Sequence, residues 1–349
     1  MTKQGFIQEL NSALSRMEAQ IREEIISDIN EHFIEGASQG LSEEEICRNL
    51  GQPGSIAEQA LEEYAKSAAS RGSQSSRSAE GGFEISIDET FSGVNDIEVK
   101  MNVSGIRFVP MPQSNDVRVV IEGRSRYEKF TVENQNGKLI VQNNMPLLQF
   151  GFFNANVKLE TTIYVPHSFC GDINASSSAG GVHSTGIGGN LTLKSSAGMV
   201  TVEDYRGDNV YINSSAGDVK LQIADSAAPE VKMKTSAGSA VLTAGETKQL
   251  SISSSAGSVK VDVKKICGDV KLHSSAGSVK LTALDATGNI DVTTSAGSVE
   301  VCLPVNIDCR IEPSKPSFGK LVNELTGNPN SQYRLRAKSS VGTVKLKAI

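Results

Sequence analysis

The sequence predicts a mainly β protein in which a small all-α helical domain precedes a single-stranded β-solenoid, a β-helix-like fold with a period of about 20 residues. Three observations support this fold class. Apolar residues recur at helical spacing near the N-terminus, apolar and polar residues alternate from residue 83 onward, and the triplet Ser-Ala-Gly returns at a nearly constant interval. The 349 residues, of which 38% are hydrophobic, suffice for about two or three domains.

Residues 1–66 are predicted to form a compact module of short helices. Two Ser-x-x-Glu patterns, Ser42 with Glu45 and Ser55 with Glu58, are typical of capping boxes that begin helices. Five basic and thirteen acidic residues give this module a net charge of −8, so the acidity of the chain is concentrated here. The apolar residues that recur at helical spacing are Phe6, Leu10, Leu14, Ile21, Ile25, Ile29 and Phe33.

Residues 67–82 consist mainly of Ser, Ala, Gly and Arg without apolar periodicity, which predicts a flexible linker. After this linker the period of the apolar residues changes to two. Residues 83–165 are interpreted as an irregular β region that caps one end of the solenoid. No helix is predicted from residue 83 to the C-terminus.

Residues 166–349 carry the repeat that defines the solenoid. The positions seven and five before each repeat glycine, and two and four after it, are apolar in nearly every copy. Each copy therefore predicts two short strands that share a buried face, joined by a turn in which we expect glycine to take a positive φ. Stacked copies would bury these faces against one another. Prolines and glycines interrupt the period at 303–335, which predicts an excursion before the last coil. The repeat glycines are Gly180, Gly198, Gly217, Gly238, Gly257, Gly277 and Gly297, followed by the variant Ser340-Val341-Gly342.

The Ser-Ala-Gly-x-Val repeats resemble those of the bacterial putative-adhesin family, whose β-solenoid domains have no assigned biochemical activity. Gly-Asn or Gly-Asp pairs lead into the repeats, as at Gly189-Asn190, Gly268-Asp269 and Gly288-Asn289. This resemblance covers most of residues 83–349. It implies a β-solenoid domain of unknown function.

Residues 1–66 resemble the helical HAAS signalling domain, a short module often encoded beside PadR-like regulators. The first turn departs from the family pattern, because Ser15-Arg16-Met17 stands where Leu-Pro is usual. Together the two resemblances imply an accessory protein of bacterial cell-envelope stress or signalling, and they imply no catalytic residue. The residues that carry the HAAS resemblance are Phe6, Glu9, Leu10, Asp28, Glu31, His32, Phe33, Gly36, Gly40, Ser42, Glu45, Leu50, Gly51, Pro53, Ile56 and Ala57.

The composition excludes several classes of function and site. A net charge of −6 gives no reason to expect a specific nucleic-acid partner. The five cysteines form no CxxC pair and the four histidines no metal-ligand spacing, so we expect no disulfide scaffold, no metal site and no cofactor. No apolar stretch has the length of a signal peptide or a transmembrane segment, so we expect a cytoplasmic protein. The alternative is a cell-surface location reached by an export route that is not evident.

A row of lysines marks one predicted outer face. The residues three positions after the repeat glycines include Lys220, Lys260, Lys280 and Lys345, which stacking would place along one sheet. Such a row suits a polyanion, a phospholipid headgroup surface or a protein partner. The alternative is that lysine only keeps an outer strand face soluble, and two interruptions of the row, by a valine and a glutamate, favour it.

The most apolar stretch, residues 145–153, is a second candidate contact. Its proline and glycine make it a poor strand, and one interpretation is an exposed loop that touches a partner or a membrane surface. The alternative, which is the more common role of such a run, is a plug that covers the end of the solenoid. The candidate residues of this loop are Leu147, Leu148, Phe150, Phe152 and Phe153.

Pairs of hydroxyl residues precede each Ala-Gly of the repeat. A nucleophilic serine needs a neighbouring base, and His273 beside Ser274 is the only histidine close to such a pair in the sequence. No carboxylate is evidently placed to orient His273. We therefore interpret the pairs as a structural ladder of turn hydroxyls and assign no catalytic residue.

These observations predict a non-enzymatic scaffold or adaptor in bacterial cell-envelope stress signalling. The helical module would dock a regulator or a membrane protein, and the solenoid would offer an interaction surface that also admits peripheral membrane or polyanion contact. The first alternative is a surface-exposed adhesin or a protein that binds an envelope polymer or lipid. The weakest alternative is a polysaccharide-acting β-helix enzyme, because it requires carboxylates clustered on adjacent coils.

Overall fold

The computed structural model describes residues 1–17, 22, 25–26, 29–30, 33, 42–58, 60–61, 83–125, 130–143, 158–225 and 227–349. The chain divides into two compact units. One comprises Met1–Phe83, Arg124–Lys129 and Asn144–Val157, and the other comprises Glu84–Gly123, Phe130–Asn143 and Lys158–Ile349. The predicted linker at 67–82 and the predicted contact loop, with Leu147, Leu148, Phe150, Phe152 and Phe153, lie outside the described residues.

The first unit contains the helices α1 (Lys3–Ala13) and α2 (Glu43–Leu50). The predicted capping box at the start of α2 is confirmed. The Glu45 N–H donates to the Ser42 hydroxyl at 3.3 Å, and the Ser42 N–H donates to the Glu45 carboxylate at 2.9 Å. That backbone hydrogen bond from Ser42 holds the pKa of the Glu45 carboxyl below its usual range.

The second predicted capping box is wrong. Residues 53–58 are helical, and the Ile56 N–H donates to the Gln52 carbonyl at 3.2 Å, so this helix begins at Pro53. Ser55 therefore lies inside the helix and cannot cap it. Proline suits the first helical position because its fixed φ fits a helix and its nitrogen has no hydrogen that needs a partner.

The predicted apolar helical face forms the core of this unit. Phe6 packs edge-on against Phe33, with the ring centroids 5.8 Å apart. Ile46 and Cys47 of α2 are buried in the same cluster, whereas Ile21 lies outside the described residues. The other predicted core residues that are buried are Leu10, Leu14, Ile25 and Ile29.

Strands make up most of the remaining described residues. In chain order they are β1 (Phe83–Phe91), β2 (Asp96–Met101), β3 (Ser104–Met111), β4 (Val117–Ser125), β5 (Phe130–Gln135), β6 (Lys138–Asn143), β7 (Lys158–Pro166), β8 (Asp172–Ser177), β9 (Val182–Thr185), β10 (Asn190–Ser195), β11 (Val200–Tyr205), β12 (Asn209–Ser214), β13 (Val219–Ile223), β14 (Glu230–Thr235), β15 (Ala240–Thr247), β16 (Leu250–Ser254), β17 (Val259–Ile266), β18 (Val270–Ser274), β19 (Val279–Ala286), β20 (Ile290–Ala296), β21 (Val299–Leu303), β22 (Arg310–Pro313), β23 (Leu321–Asn323), β24 (Arg334–Val341) and β25 (Val344–Ala348).

Successive strands from β8 to β21 alternate between two sheets. The 12-stranded sheet has the order β22-β24-β20-β18-β16-β14-β12-β10-β8-β2-β6-β5, and the 13-stranded sheet has the order β1-β4-β7-β3-β9-β11-β13-β15-β17-β19-β21-β25-β23. Each coil thus gives one strand to each sheet, and the repeat strands pair in parallel with those of the coils before and after. The prediction of a mainly β, solenoid-like fold is confirmed at this level.

The register of the repeat strands places equivalent residues side by side. Val259 pairs with Val279 in the 13-stranded sheet, and Leu250 pairs with Val270 in the 12-stranded sheet. The predicted inward positions are buried in every copy, from Ile173 to Leu346, and none is more than 3% exposed. The period-two pattern therefore identified the buried face correctly.

The described strands within residues 83–165 belong to the two sheets of the repeat. β2 pairs in register with β8, and β3 pairs in register with β9, so this segment extends both sheets of the repeat. β5 and β6 form an antiparallel hairpin whose turn residues, Asn136 and Gly137, both have positive φ. These strands are regular because their apolar residues also alternate, as at Ile97 and Val99, which are buried. They occupy one end of each sheet.

The other end of the sheets departs from chain order. The segment 303–335 contributes β22 and β23, which pair with β24 and β25 of the last coil. The last coil therefore lies between the coil of β20 and β21 and the excursion that precedes it in the chain. The edge strands at this end are short, with four residues in β22 and three in β23, and β22 ends at Pro313. Short edge strands and an edge proline both oppose pairing with another sheet.

The alternation of faces predicts opposite effects of one substitution at two adjacent positions. Val259→Asp places an unpaired charge in the core and should unfold the protein or lower its stability by several kcal/mol, roughly 3 or more. Lys260→Asp changes an exposed residue between Val241 and Lys280 and should shift stability by less than about 1 kcal/mol. Urea unfolding followed by circular dichroism measures both variants. Similar losses in the two would contradict the assigned inward face.

Candidate functional site

Each repeat turn that follows a strand of the 12-stranded sheet from β10 to β20, and the turn after β24, is held by a buried hydroxyl. Ser254, the first residue of its hydroxyl pair, donates to the carbonyl oxygen of Gly238, one coil earlier, at 2.9 Å. The Gly257 N–H of the same coil donates to Ser254 Oγ at 2.9 Å. The same bond to the previous coil, at 2.7–3.0 Å, joins Ser195 to Gly180, Ser214 to Gly198, Thr235 to Gly217, Ser274 to Gly257, Thr294 to Gly277 and Ser339 to Gly297.

Glycine is required at these turns by close approach of the coils. A Cβ added to Gly257 would overlap the carbonyl oxygen of Gly238, and the same overlap recurs along the repeat. Among the seven Ser-Ala-Gly glycines, all of which the structure describes, only Gly297 has a φ in the region that favours glycine, at 156°. The predicted positive φ is therefore wrong for the other six. The neighbouring coil, and not the turn backbone, excludes a side chain there.

The hydroxyl of Ser274 is not paired with His273. Ser274 is buried and donates to the Gly257 carbonyl at 2.8 Å, whereas His273 is exposed. The two nitrogens of His273 lie 3.0 Å from Thr293 Oγ1 and 3.4 Å from Ser275 Oγ. A hydroxyl therefore contacts this histidine where a catalytic triad has a carboxylate. This geometry supports the interpretation of the hydroxyl pairs as a structural ladder.

The four predicted lysines lie at outward positions of the 13-stranded sheet. Lys260 pairs in register with Lys280 on the next strand, and both are exposed. Lys220 and Lys345 continue the same row, but a valine and a glutamate separate them from this pair. The structure thus brings two of the four lysines together.

Glu300 neutralises part of this lysine row. Its carboxylate lies 2.9 Å from Lys280 Nζ and 3.2 Å from Lys347 Nζ. The hydrogen bond between Lys280 and Glu300 lowers the pKa of the carboxyl and raises the pKa of the ammonium group. Lys280 therefore already has an anionic partner within the chain. Use of this row as a polyanion or partner face stays a prediction.

A more cationic surface lies on the 12-stranded sheet and was not among the predicted sites. It is formed by the outward positions of β10, β12, β14, β16, β18, β20 and β24, six and four residues before the repeat glycine. These positions carry one acidic residue, Asp291. The signal in the sequence was the recurrence of lysine at these two positions in alternate copies. We refer to this surface as the basic strip, and its cations are Lys194, Lys232, Lys234, Lys271, Arg336 and Lys338.

The cations of the basic strip occur on alternate coils. Lys194 pairs in register with Asn213, Asn213 with Lys234, and Lys234 with Ser253. Cationic residues accordingly lie on β10, β14, β18 and β24, and neutral or acidic residues lie on the strands between them. Adjacent strands are about 4.8 Å apart, so the cationic strands recur at about 10 Å. The repulsion between their cations is therefore about half of what it would be between cations on adjacent strands.

Most cations of the basic strip have no anionic partner in the described part of the chain. Lys232 lies over the ring of Tyr211, 5.4 Å from its centroid, and Arg336 lies 3.7 Å from Asp291. The basic-strip lysines that form no ion pair with a described residue, and that are exposed, are Lys194, Lys232, Lys234, Lys271 and Lys338.

The two borders of the basic strip differ in charge. On one side, next to the turns, lies a row of exposed hydroxyls, which are Ser196, Ser215, Ser236, Ser255, Ser275, Ser295 and Ser340. On the other side, where the strands begin, lie the carboxylates Asp208, Glu230 and Asp269 together with two cations, Arg334 and Lys248, of which Lys248 lies 3.9 Å from Asp208. The cations of the basic strip therefore form a narrow band whose width is two outward positions, about 7 Å.

Other groups that could carry chemistry are placed singly. The five cysteines are free, and burial raises the pKa of the Cys309 thiol to about 11, which suppresses its reactivity. The described residues contain no cluster of His, Cys, Asp or Glu that could hold a metal ion. Within the same residues, no helix is long and apolar enough to cross a membrane.

The chain is a repeat protein, because its two parallel-rich sheets are built from successive coils of one short motif. The same motif places apolar residues in the core and polar residues on the long outward faces. The chain belongs to the Toastrack DUF4097 family, whose model matches residues 94–347. Residues 5–59 match the HAAS family model. The predicted resemblances to a β family of unknown function and to HAAS are thereby confirmed. No curated protein matches the chain.

Two solved structures are similar to this chain. One is described as a "putative cell adhesion protein" from Clostridium sporogenes ATCC 15579. It is 11% identical, the alignment covers 76% of this chain and 100% of that one, and the TM-score is 0.25. The other is described as a "putative adhesin" from Bacteroides fragilis NCTC 9343. It is 15% identical, with 76% and 97% coverage and a TM-score of 0.37.

The hydroxyl ladder predicts different effects of alanine at adjacent serines. Ser254→Ala leaves the Gly238 carbonyl and the Gly257 N–H without their partner in a buried turn, so stability should fall by about 1–3 kcal/mol. Ser255→Ala removes an exposed hydroxyl and should change stability by less than about 0.5 kcal/mol. Denaturant midpoints of the two variants provide the measurement. A loss of the same size at both positions would show that the buried hydroxyl does not hold the turn.

Proposed function

We propose that the protein is a non-enzymatic scaffold or adaptor of bacterial cell-envelope stress signalling. In this proposal residues 1–66 dock a regulator or a membrane protein, and residues 67–82 link them to the β region. A single-stranded β-solenoid at 166–349, capped by 83–165, acts as the interaction surface. The protein works in the cytoplasm.

The observation that carries this proposal is the pair of outward sheet faces. The inward positions and the turns hold the fold, while the outward positions of consecutive coils form ordered rows of exposed side chains. A surface of this kind binds partners by charge and shape and needs no reactive group. The buried hydroxyls, which would be the candidate nucleophiles, are used in the ladder between coils.

The helical module supports the docking part of the proposal. Residues 5–59 match HAAS, and the first turn of α2 presents the exposed carboxylates Glu43 and Glu44 beside its buried residues. Acidic groups at a helix N-terminus are stable there because they face the positive end of the helix dipole. They also leave an anionic surface that suits a basic partner.

The alternative of an envelope polymer-binding protein or adhesin is favoured by one observation, the basic strip. A cationic band in which most cations form no ion pair with a described residue is a feature that an anionic polymer would satisfy. The enzyme alternative has less support, since it needs two carboxylates on adjacent coils. The basic strip carries one acidic residue, and the outward acids Glu203, Asp262 and Glu300 of the other sheet lie on strands that are not adjacent.

The docking proposal predicts a contact at α2 that responds to envelope stress. A photo-crosslinking residue in place of Glu44 should yield one main protein adduct in the native bacterium, and its yield should change when a cell-wall antibiotic is added. A crosslinker in place of the exposed Lys264, in the β region, is the matched control. Mass spectrometry identifies the adducts. An adduct pattern that is the same at both positions, or that ignores stress, would contradict the proposed docking role.

The cytoplasmic location predicts protection from external protease. A C-terminal tag should survive protease treatment of intact cells to the same extent as a cytoplasmic control protein, and it should be digested after lysis. Blotting for the tag provides the measurement. Loss of the tag from intact cells would instead support the adhesin or envelope-binding alternative.

A further inference from the structure

We propose that the basic strip binds a linear, phosphate-bearing polymer without nucleobases, which lies across the strands along the row of coils. This inference goes beyond the docking role proposed above and does not depend on it. It rests on the availability, arrangement and chemistry of the six cations.

The basic strip differs from the lysine row of the other sheet in how many of its cations lack an ion-pair partner among the described residues. Lys194, Lys234, Lys271 and Lys338 are exposed and form no ion pair with a described residue. On the 13-stranded sheet, by contrast, Glu300 lies within ion-pair distance of both Lys280 and Lys347. A ligand at the basic strip therefore gains contacts to ammonium groups that form no ion pair within the described part of the chain.

The arrangement of the cations selects a linear ligand over a planar one. From β10 to β24 the basic strip runs for six strand spacings, about 29 Å, but it is only two outward positions wide, about 7 Å. Carboxylates at Asp208, Glu230 and Asp269 border one side. An anionic membrane plane would meet these carboxylates, whereas a single polymer chain can follow the cations and avoid them.

The side-chain chemistry suits phosphate. Five of the six cations are lysines, which bind phosphate as point charges and do not impose the planar, bidentate geometry of arginine. The row of exposed serines beside them supplies hydroxyl donors to phosphate oxygens. Proteins that bind single-stranded nucleic acid stack the bases on several aromatic residues, and the outward positions of the basic strip carry one Phe, Tyr or Trp, Tyr211, and one histidine, His273.

Two variants with the same change in charge test the proposal. Lys194→Glu combined with Lys234→Glu alters two basic-strip lysines that are two coils apart and have neutral neighbours in register. Lys220→Glu combined with Lys260→Glu alters two lysines with the same separation on the other sheet. Circular dichroism melts first establish that both full-length variants are folded. The probe is long-chain inorganic polyphosphate, and its binding is measured by fluorescence anisotropy at several salt concentrations.

The basic-strip variant should bind polyphosphate at least about tenfold more weakly than the unchanged protein. The slope of its plot of log affinity against log salt concentration should be smaller in magnitude by about one to two. The other variant should keep its affinity within about twofold. Equal weakening of both variants would show a response to net charge alone and would overturn the proposal. Weakening of the Lys220 and Lys260 variant alone would place the site on the other sheet and would also overturn it.

Two further probes separate the polymer from its rivals. Vesicles of phosphatidylglycerol and single-stranded DNA of matched charge should each bind more weakly than polyphosphate at the same salt concentration. Preference for the vesicles would show a membrane surface, and preference for the DNA would show nucleobase contacts. Either preference would overturn the proposal, and neither would affect the docking role of the helical module.

Discussion

The hydrogen bond from a buried hydroxyl to the glycine carbonyl one coil earlier is the interaction on which the β region depends. Ser254 donates to Gly238 and accepts from Gly257, so one side chain joins two coils and satisfies polar groups of both turns. The coils are then so close that glycine is the residue that fits beside the carbonyl. An unpaired polar group in such a turn would cost about 1–3 kcal/mol, so hydroxyl, glycine and coil spacing are linked by one constraint.

The same constraint decides which side chains face the solvent. Each turn starts the following strand at a fixed position, so Val259 and Val279 meet in register and both point inward. A slip by one residue would bury Lys260 and expose Val259, Val261 and Val263, and this cost keeps the register uniform along the sheet. The outward residues take no part in either the core or the turn. Their identities can therefore vary without loss of the fold.

The sequence predicted the features that depend on local patterns. Apolar spacing identified the inward positions of the repeat, and the Ser42–Glu45 pair identified the start of α2, because both reflect contacts within a few residues or one coil. The role of glycine was misassigned, since close approach between residues about 20 positions apart leaves no mark in a local pattern. The placement of β24 and β25 inside the stack was missed for the same reason. The basic strip was present in the sequence, but it becomes a surface only when alternate copies are aligned in register.

The difference in charge between the two sheets bears on the origin of the basic strip. Solubility requires charged residues on outer faces but favours both signs interspersed, as on the 13-stranded sheet, where Glu203, Asp262 and Glu300 accompany the lysines. Protection of sheet edges by lysine applies to edge strands, yet β10 to β20 have hydrogen-bonded neighbours on both sides. Neither requirement accounts for a surface with six cations and one acidic residue. The alternate spacing limits repulsion among these cations and so lets the fold carry them, but it does not supply a reason to have them. A ligand of opposite charge supplies that reason.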